Sequence, residues 1–241
     1  MNGPVRAEPD VGAAPSVACP AEAPPGDREA VPGSPEALPG AAASASDAPV
    51  DAAAVPAPYA QLHARAQVLL ASWTAPDAVQ EARRQEFLAH LAAHPGAMWK
   101  QGPPAHLTAS VVVLDAAGRH VLLTLHRKAR AWFQFGGHYE PSDVDPHAAA
   151  TREAREESGI TDLVVAPGLV ELDRHTLVGS FGRCREHLDL RFAAVAPEGA
   201  RHVVSEESLD VRWWPVTGLP DTAGADLGRL VAAARGQLAL G

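Results

Sequence analysis

The spacing of apolar residues divides the chain into three parts. Within residues 1–58, Leu38 is the only leucine, isoleucine, phenylalanine, tryptophan or tyrosine, so this part lacks the side chains that build a core. Apolar residues from 59 to 95 recur at helical spacing, with a break at 74–77, which predicts a pair of helices. Beyond residue 105, short apolar runs between turn residues predict strands.

Each helix of the predicted pair is too short to be stable alone. Isolated helices of fewer than about 12–15 residues are marginal in water, so both helices need an apolar surface to pack against. We therefore interpret residues 59–95 as a layer on the main domain, in preference to a separate binding module.

Six runs rich in apolar and β-branched residues are the strand candidates. They are Leu107–Leu114, Val121–Leu125, Phe133–Phe135, Leu163–Val170, Leu188–Val195 and Val211–Trp214. The turn residues at 115–118 join the first two runs into a predicted hairpin. A central helix is predicted between Asp145 and Gly159, and a closing helix over Leu227–Leu238. Strands around a central helix, with a further helix at the end, indicate a layered α/β fold.

Composition sets residues 1–58 apart from the rest of the chain. This segment holds 12 of the 22 prolines and most of the acidic excess in a net charge of −9. We expect it to be a disordered tail rich in alanine, proline and glycine. The predicted organisation is an acidic tail (1–58), a helical extension (59–95) and one main domain (96–241).

Charge, hydropathy and cysteine content exclude several classes of protein. No apolar run approaches the roughly 20 residues of a membrane span, and the first residues lack the pattern of a signal peptide. Cys19 and Cys184 cannot form a disulfide framework, which fits a reducing, cytoplasmic location. The negative net charge argues against a surface that coats nucleic acid.

The predicted central helix has well-marked ends. Asp145 can cap its N-terminus, Pro146 suits its first turn, and Gly159 can end it. These local signals define which residues lie inside the helix. Spacing alone then shows which side chains share a face.

Three glutamates share one face of this helix. Glu153, Glu156 and Glu157 stand at positions i, i+3 and i+4, so their carboxylates lie close together. Clustered hard oxygens are the ligands that Mg²⁺ or Mn²⁺ requires. The alternative is a solvated acidic surface on which Arg152 and Arg155 neutralise part of the charge. The triplet alone supports both interpretations equally.

The segment from the glycine pair to the end of this helix resembles the Nudix box. Gly136 and Gly137 follow a predicted strand, and residues 152–160, with the sequence REAREESGI, match each fixed position in the second half of the box. In the first half, Asp143 stands where the family has glutamate, and eight residues rather than seven separate it from Arg152. This insertion falls in a loop, so the helix is undisturbed. The resemblance covers about residues 105–220.

The resemblance implies a Nudix-type α/β/α sandwich with a mixed sheet, and a hydrolase activity. The implied reaction cleaves a pyrophosphate bond in a nucleoside diphosphate linked to another moiety, with Mg²⁺ or Mn²⁺ as the cofactor. Divalent ions neutralise phosphate oxygens and lower the pKa of water, so this chemistry agrees with the carboxylate cluster. The implied partner is a nucleotide-type small molecule, and a homodimer is possible.

The resemblance also implies roles for individual residues. The implied metal ligands are the Gly136 carbonyl, Glu153, Glu156 and Glu157. Arg152 would pair with a glutamate and hold the helix, so Arg152 and Glu153 join the catalytic set. The general base varies within the family and often comes from a distal loop. Glu207 is our choice for this base, and Glu206 is the second candidate.

Three further residues are candidates for substrate binding. Arg127 and Lys128 end a predicted strand before the site and could bind phosphate, although a solvated strand end would look the same. His138 follows the glycine pair and could contact phosphate or metal, or be an exposed loop residue. His187 and Asp189 alternate along one predicted strand toward the cleft, but the pattern assigns them no role.

Two other functions fit parts of the pattern. A Nudix domain altered at Asp143 could bind or sense a nucleotide without hydrolysis, although the intact run at 152–157 favours an enzyme. Isoprenoid diphosphate isomerisation on a similar fold needs a cysteine in the cleft, for which Cys184 is the candidate. Among hydrolase substrates, no residue pattern separates nucleoside triphosphates from ADP-ribose, dinucleoside polyphosphates or nucleotide sugars.

Overall fold

The computed structural model describes residues 54–177 and 183–240. The predicted tail lies outside the described residues, except for positions 54–58. Of these, Ala57 and Pro58 belong to the first turn of a helix, so this helix begins two residues before the predicted boundary. A proline fits there because the first N–H groups of a helix have no partner within it.

The described residues contain four helices and eight strands. The helices are α1 (Ala57–Ser72), α2 (Ala78–Ala93), α3 (Pro146–Ser158) and α4 (Leu227–Gln237). The strands are β1 (Ala105–Leu114), β2 (His120–His126), β3 (Trp132–Phe133), β4 (Phe135–Gly137), β5 (Val164–Val165), β6 (Glu171–Thr176), β7 (Glu186–Val195) and β8 (Ser208–Pro215). None of these helices is both long and apolar enough to cross a membrane.

The strands form one mixed sheet with β1 near its centre. Strand β1 runs parallel to β7 and antiparallel to β2 and β4. Strand β2 also pairs with β3 and β8, and β7 with β5 and β6, all antiparallel. The predicted hairpin of β1 and β2 is therefore confirmed, as is the predicted mixed sheet.

Alternate residues of β1 face two apolar layers. Val111 and Val113 belong to the core cluster that includes residues of α1, α2 and α3, whereas Val112 and Leu114 belong to the cluster that includes α4. Successive side chains of a strand point to opposite faces of the sheet, so the sheet lies between the two sets of helices. This is the α/β/α sandwich expected from the sequence.

The helical pair packs into the same core as the sheet. Leu62 of α1 and Phe87 of α2 are fully buried in one cluster with Leu107 of β1. The buried Gln80 of α2 donates from Nε2 to the Leu172 carbonyl (3.2 Å), and the Leu172 N–H donates to Gln80 Oε1 (2.8 Å). Helix α2 is therefore bonded directly to the backbone of β6.

Gln80→Ala should lower the free energy of unfolding by about 2–3 kcal/mol, because it leaves a buried N–H and a buried carbonyl of β6 unpaired. Urea denaturation followed by circular dichroism measures this change. Gln85→Ala is the matched control, since Gln85 is an exposed residue of α2 whose amide donates to Glu81. Equal losses in the two variants would mean that packing alone holds α2 on the sheet.

One strand prediction is wrong. Of Leu163–Val170, only the two residues of β5 form a strand, because Pro167 has no N–H to donate and Gly168 adopts a left-handed φ of 89°. The predicted strand Phe133–Phe135 is also divided, between β3 and β4. Strand β6 has no apolar pattern that predicts it. Its buried Glu171 and partly buried Asp173 pair with Arg191 of β7, which is distant in the sequence.

Candidate active site on the central helix

Helix α3 begins and ends where its sequence signals indicate. The Asp145 side chain accepts a hydrogen bond from a backbone N–H of the first turn (2.8 Å), and Pro146 starts the helix. Gly159 ends it with a φ of 71°, a left-handed conformation that favours glycine. The buried residues that face the core are small: Ala149, Ala150 and Ala154. The helix can therefore lie close to the sheet, with its glutamates at β4.

The glycine pair of β4 lies directly against two of these glutamates. The Gly136 N–H donates to Glu157 Oε2 (3.0 Å). A Cβ atom on residue 137 would lie 2.6 Å from Glu153 Oε1, which is closer than such atoms can approach. Residue 137 must therefore be glycine if Glu153 is to keep this position.

Arg152 connects the loop before α3 to the glutamate face. Its guanidinium donates to both carboxylate oxygens of Asp143 (3.0 Å each) and to the His138 carbonyl (3.0 Å). It also donates to Glu153 Oε1 (3.0 Å) and Glu156 Oε2 (3.2 Å). Asp143 is itself buried. Despite the inserted residue, this aspartate therefore reaches Arg152 and orients it.

Asp143→Asn should lower the free energy of unfolding by about 2–4 kcal/mol, because it removes the charge that faces a mostly buried guanidinium. The Arg152 side chain is only 17% exposed, so water cannot replace the lost partner well. Chemical denaturation measures the change, with the exposed Asp162 as the control in Asp162→Asn. A loss below about 0.5 kcal/mol, as for ordinary surface changes, would mean that Glu153 and Glu156 suffice to hold Arg152.

The three glutamates differ in exposure and in charge state. Burial raises the pKa of Glu157 to about 8, and the nearby charges of Glu153, Glu207 and Glu156 add to this rise. Burial also raises the pKa of Glu153, although the charge of Arg152 opposes the shift. The Glu156 side chain is 61% exposed. Without a cation, the cluster therefore favours a protonated Glu157 at neutral pH.

This donor set fits a hard divalent cation. Mg²⁺ and Mn²⁺ prefer carboxylate oxygens, and an ion among these side chains would replace the proton that Glu157 otherwise binds. Of the residues predicted from the sequence as ligands, Glu157 lies beside Gly136 and Glu153 beside Gly137, whereas Glu156 is bonded to Arg152. The donor oxygens of the three carboxylates do not all lie within 4.8 Å of one another. Their chemistry is therefore compatible with the predicted metal site, and side-chain rotation would be needed to bring all three carboxylates onto one ion.

The predicted general base lies in the loop before β8. Glu206 and Glu207 are both exposed, and the charge of Glu207 acts on Glu157, so this loop faces the same cluster. The Arg127 side chain donates to the carbonyls on both sides of Glu207 (3.0 Å each), and its N–H donates to the Glu207 carbonyl (3.0 Å). Arg127, predicted to bind phosphate, therefore holds this loop, whereas Lys128 is exposed.

His138 lies among side chains from two neighbouring strands. Its Nε2 is 3.0 Å from His106 Nε2 and 3.9 Å from the Cys184 sulfur, and its ring centroid is 5.0 Å from that of His187. Burial and the neighbouring histidines lower its pKa to about 3, so the neutral ring would attract phosphate only weakly. No sequence signal singles out His106, because the parallel register of β1 and β7 creates this group.

Comparisons with known proteins match about half of the chain. The NUDIX domain family matches residues 104–234. A comparison with curated proteins gives no significant match. Among solved structures, the chain is similar to a C. elegans Ap4A hydrolase in a binary complex (22% identity over 55% of this chain and 97% of that chain, TM-score 0.46). It is also similar to a NUDIX-family hydrolase from Clostridium perfringens (24% identity over 56% of this chain and 97% of that chain, TM-score 0.41). A third similar structure is the E. coli dihydroneopterin triphosphate pyrophosphohydrolase (18% identity over 54% of this chain and 92% of that chain, TM-score 0.44).

Proposed function

The chain belongs to the Nudix family, and on this premise we propose that it is a divalent-metal-dependent hydrolase that cleaves a pyrophosphate bond in a nucleoside diphosphate linked to another moiety. Family membership supports a hydrolase in general. The bond that is cleaved, the nucleotide character of the substrate and the use of Mg²⁺ or Mn²⁺ are the proposed details.

The observation that carries this proposal is the burial of two carboxyl groups, those of Glu153 and Glu157, against the glycine pair. Glu153 is 16% exposed, and burial raises the pKa of both Glu153 and Glu157. A solvated acidic surface, the other interpretation of the triplet, would leave both carboxylates in water with ordinary pKa values. A cation that binds between the carboxylates accounts for their burial.

The proposed mechanism gives each residue of the cluster a task. When bound, Mg²⁺ or Mn²⁺ would neutralise the pyrophosphate oxygens and favour ionisation of water. The ligands would be Glu153, Glu156, Glu157 and the Gly136 carbonyl. Arg152 would hold Glu153 and Glu156 in position, and Asp143 would orient Arg152. Glu207 would accept a proton from the attacking water.

The test is product analysis with a panel of substrates. The full-length chain is incubated with nucleoside triphosphates, ADP-ribose, dinucleoside polyphosphates and nucleotide sugars, with Mg²⁺, with Mn²⁺ or with a chelator. We expect at least one compound to release a phosphate-bearing fragment, and the chelator to stop this release. Isomerisation of an isoprenoid diphosphate at constant mass, or nucleotide binding without any product, would reject the proposal.

A further inference from the structure

A second cluster of metal-ligating side chains lies at the start of the two parallel strands. His106 is the second residue of β1, and its register partner His187 is the second residue of β7. His138 follows β4 and Cys184 precedes β7. One donor atom from each of these four residues lies within 4.8 Å of every other. The group contains no carboxylate, so its chemistry differs from that of the glutamate cluster.

The separations between donor atoms suit a tetrahedral ion. Zinc lies about 2.0–2.1 Å from nitrogen and about 2.3 Å from sulfur, so tetrahedral ligands are about 3.3 Å apart for two nitrogens and about 3.6 Å for nitrogen and sulfur. His106 Nε2 and His138 Nε2 are 3.0 Å apart, and Cys184 Sγ is 3.9 Å from His138 Nε2. Small side-chain rotations would bring both separations to the tetrahedral values.

Two of the imidazole nitrogens are available for coordination. His106 Nδ1 lies 3.0 Å from the Pro103 carbonyl, which can only accept, so the proton is on Nδ1 and the lone pair of Nε2 faces the cluster. Metal-binding histidines commonly donate from their second nitrogen in this way. His187 Nε2 is buried and has no hydrogen-bond partner among the described residues. Such a nitrogen costs free energy, which a bound ion would offset.

Burial also keeps the ligating forms of these rings populated. Burial, followed by the neighbouring histidines, lowers the pKa of His138 to about 3 and the pKa of His187 to about 4. Burial lowers the pKa of His106 as well. A metal ion binds the neutral imidazole, so none of the three rings must lose a proton at neutral pH. Cys184 is buried and not in a disulfide, and it adds a soft ligand suited to zinc.

We propose that His106, His138, Cys184 and His187 bind one Zn²⁺ ion. The ligands come from β1, the segment after β4 and the residues before and within β7. The ion would therefore join three separate parts of the sheet close to the glycine pair. Imidazole and thiolate ligands favour zinc over magnesium, whereas the carboxylates of α3 favour magnesium or manganese, so the two sites would select different ions.

The test is metal binding by the full-length chain, stripped with a chelator under reducing conditions and titrated with Co²⁺ and then Zn²⁺. We expect one equivalent of Co²⁺ to give the intense visible absorption of a tetrahedral site and a thiolate-to-cobalt charge-transfer band. Zn²⁺ should then remove both signals. Cys184→Ser should abolish the charge-transfer band. His187→Gln should weaken Zn²⁺ binding by at least about 10–100-fold. Removing a residue that only hydrogen-bonds to a metal ligand already costs that much affinity, and the loss of a ligand should cost no less.

Two control variants separate this site from its surroundings. The first control, His175→Gln, changes a histidine beside the proposed site, since the His175 ring centroid is 5.4 Å from that of His187. His175 is not one of the proposed ligands, and its Nδ1 is bonded to Asp173 (2.9 Å). The double variant Glu156→Gln/Glu157→Gln changes the carboxylates of α3 instead. Both controls should keep the cobalt spectrum. Zinc binding does not depend on hydrolysis, so the two proposals can fail separately.

Three results would overturn the zinc proposal. They are the absence of stoichiometric Co²⁺ and Zn²⁺ binding by the folded chain, an unchanged cobalt spectrum in Cys184→Ser, and a loss of binding in the double glutamine variant. Circular dichroism and thermal melting accompany each titration. His106→Gln replaces any ligand variant that does not fold, and unchanged zinc affinity in this variant would equally overturn the proposal.

Discussion

Replacement of Glu156 or Glu157 by glutamine should reduce hydrolysis at least about a hundredfold and leave the fold intact. A bound divalent ion supplies several kcal/mol of charge stabilisation, and a neutral amide is a poor substitute for a carboxylate ligand. In Glu157→Gln, the amide oxygen can still accept the Gly136 N–H. Without an ion, burial already favours a protonated Glu157, and Glu156 is mostly exposed. Either replacement should therefore leave the ion-free protein as stable as the parent, or more stable.

The two glutamine variants are compared by hydrolysis rates and by melting with and without the ion. Mg²⁺ or Mn²⁺ should raise the melting temperature of the parent, because a ligand of the folded state stabilises it, and both variants should lose this rise. Glu198→Gln changes an exposed glutamate in the turn after β7 and should affect neither measurement. Near-parent rates in both glutamine variants would mean that the triplet is only an acidic surface, and the metal site and hydrolase proposal would both be rejected.

Glu207→Gln should lower kcat by about 10²–10⁴-fold, the range for the loss of a general base. The amide cannot accept a proton from water, but it is similar in size to the carboxylate. The surrounding carbonyls stay bonded to Arg127, so we expect the loop to keep its position. Steady-state hydrolysis measures kcat, while the stabilisation by Mg²⁺ or Mn²⁺ should change little.

Glu206→Gln is the matched control for this general-base prediction. Glu206 is the exposed neighbour of Glu207 in the same loop, and its replacement should leave kcat near the parent value. A large loss in Glu206→Gln alone would assign the base to that residue. If neither variant lowers kcat, the base is not in this loop, and the carboxylates of α3 become the next candidates.

Helix α3 and its glutamates could be predicted because all the signals for them are local. The cap at Asp145, the left-handed Gly159 and the spacing of the acids lie within one short segment. The part played by Asp143 could not be predicted from spacing, since the inserted residue shifts it out of register with the family pattern. A turn closed by the Asp143 N–H and the Glu140 carbonyl (3.1 Å) shapes the loop that returns Asp143 to Arg152.

Features that join distant residues could not be predicted from the sequence. Strand β6 buries Glu171 and partly buries Asp173 because Arg191 of β7 pairs with both, at 2.9 and 3.0 Å. Read alone, those acids indicate an exposed loop, since charged residues are seldom buried without a partner. The histidine cluster has the same origin, because His106 and His187 become neighbours only when β1 and β7 pair in parallel.

The packing of α1 and α2 means that the family match and the folding unit have different boundaries. The match begins at residue 104, yet Leu62, Phe87 and Leu91 of the helices complete the core on that face of the sheet. A fragment cut at residue 104 would expose this apolar face to water and would be prone to self-association. A shortened chain intended for crystallisation or directed evolution should therefore keep both helices and begin before Ala57.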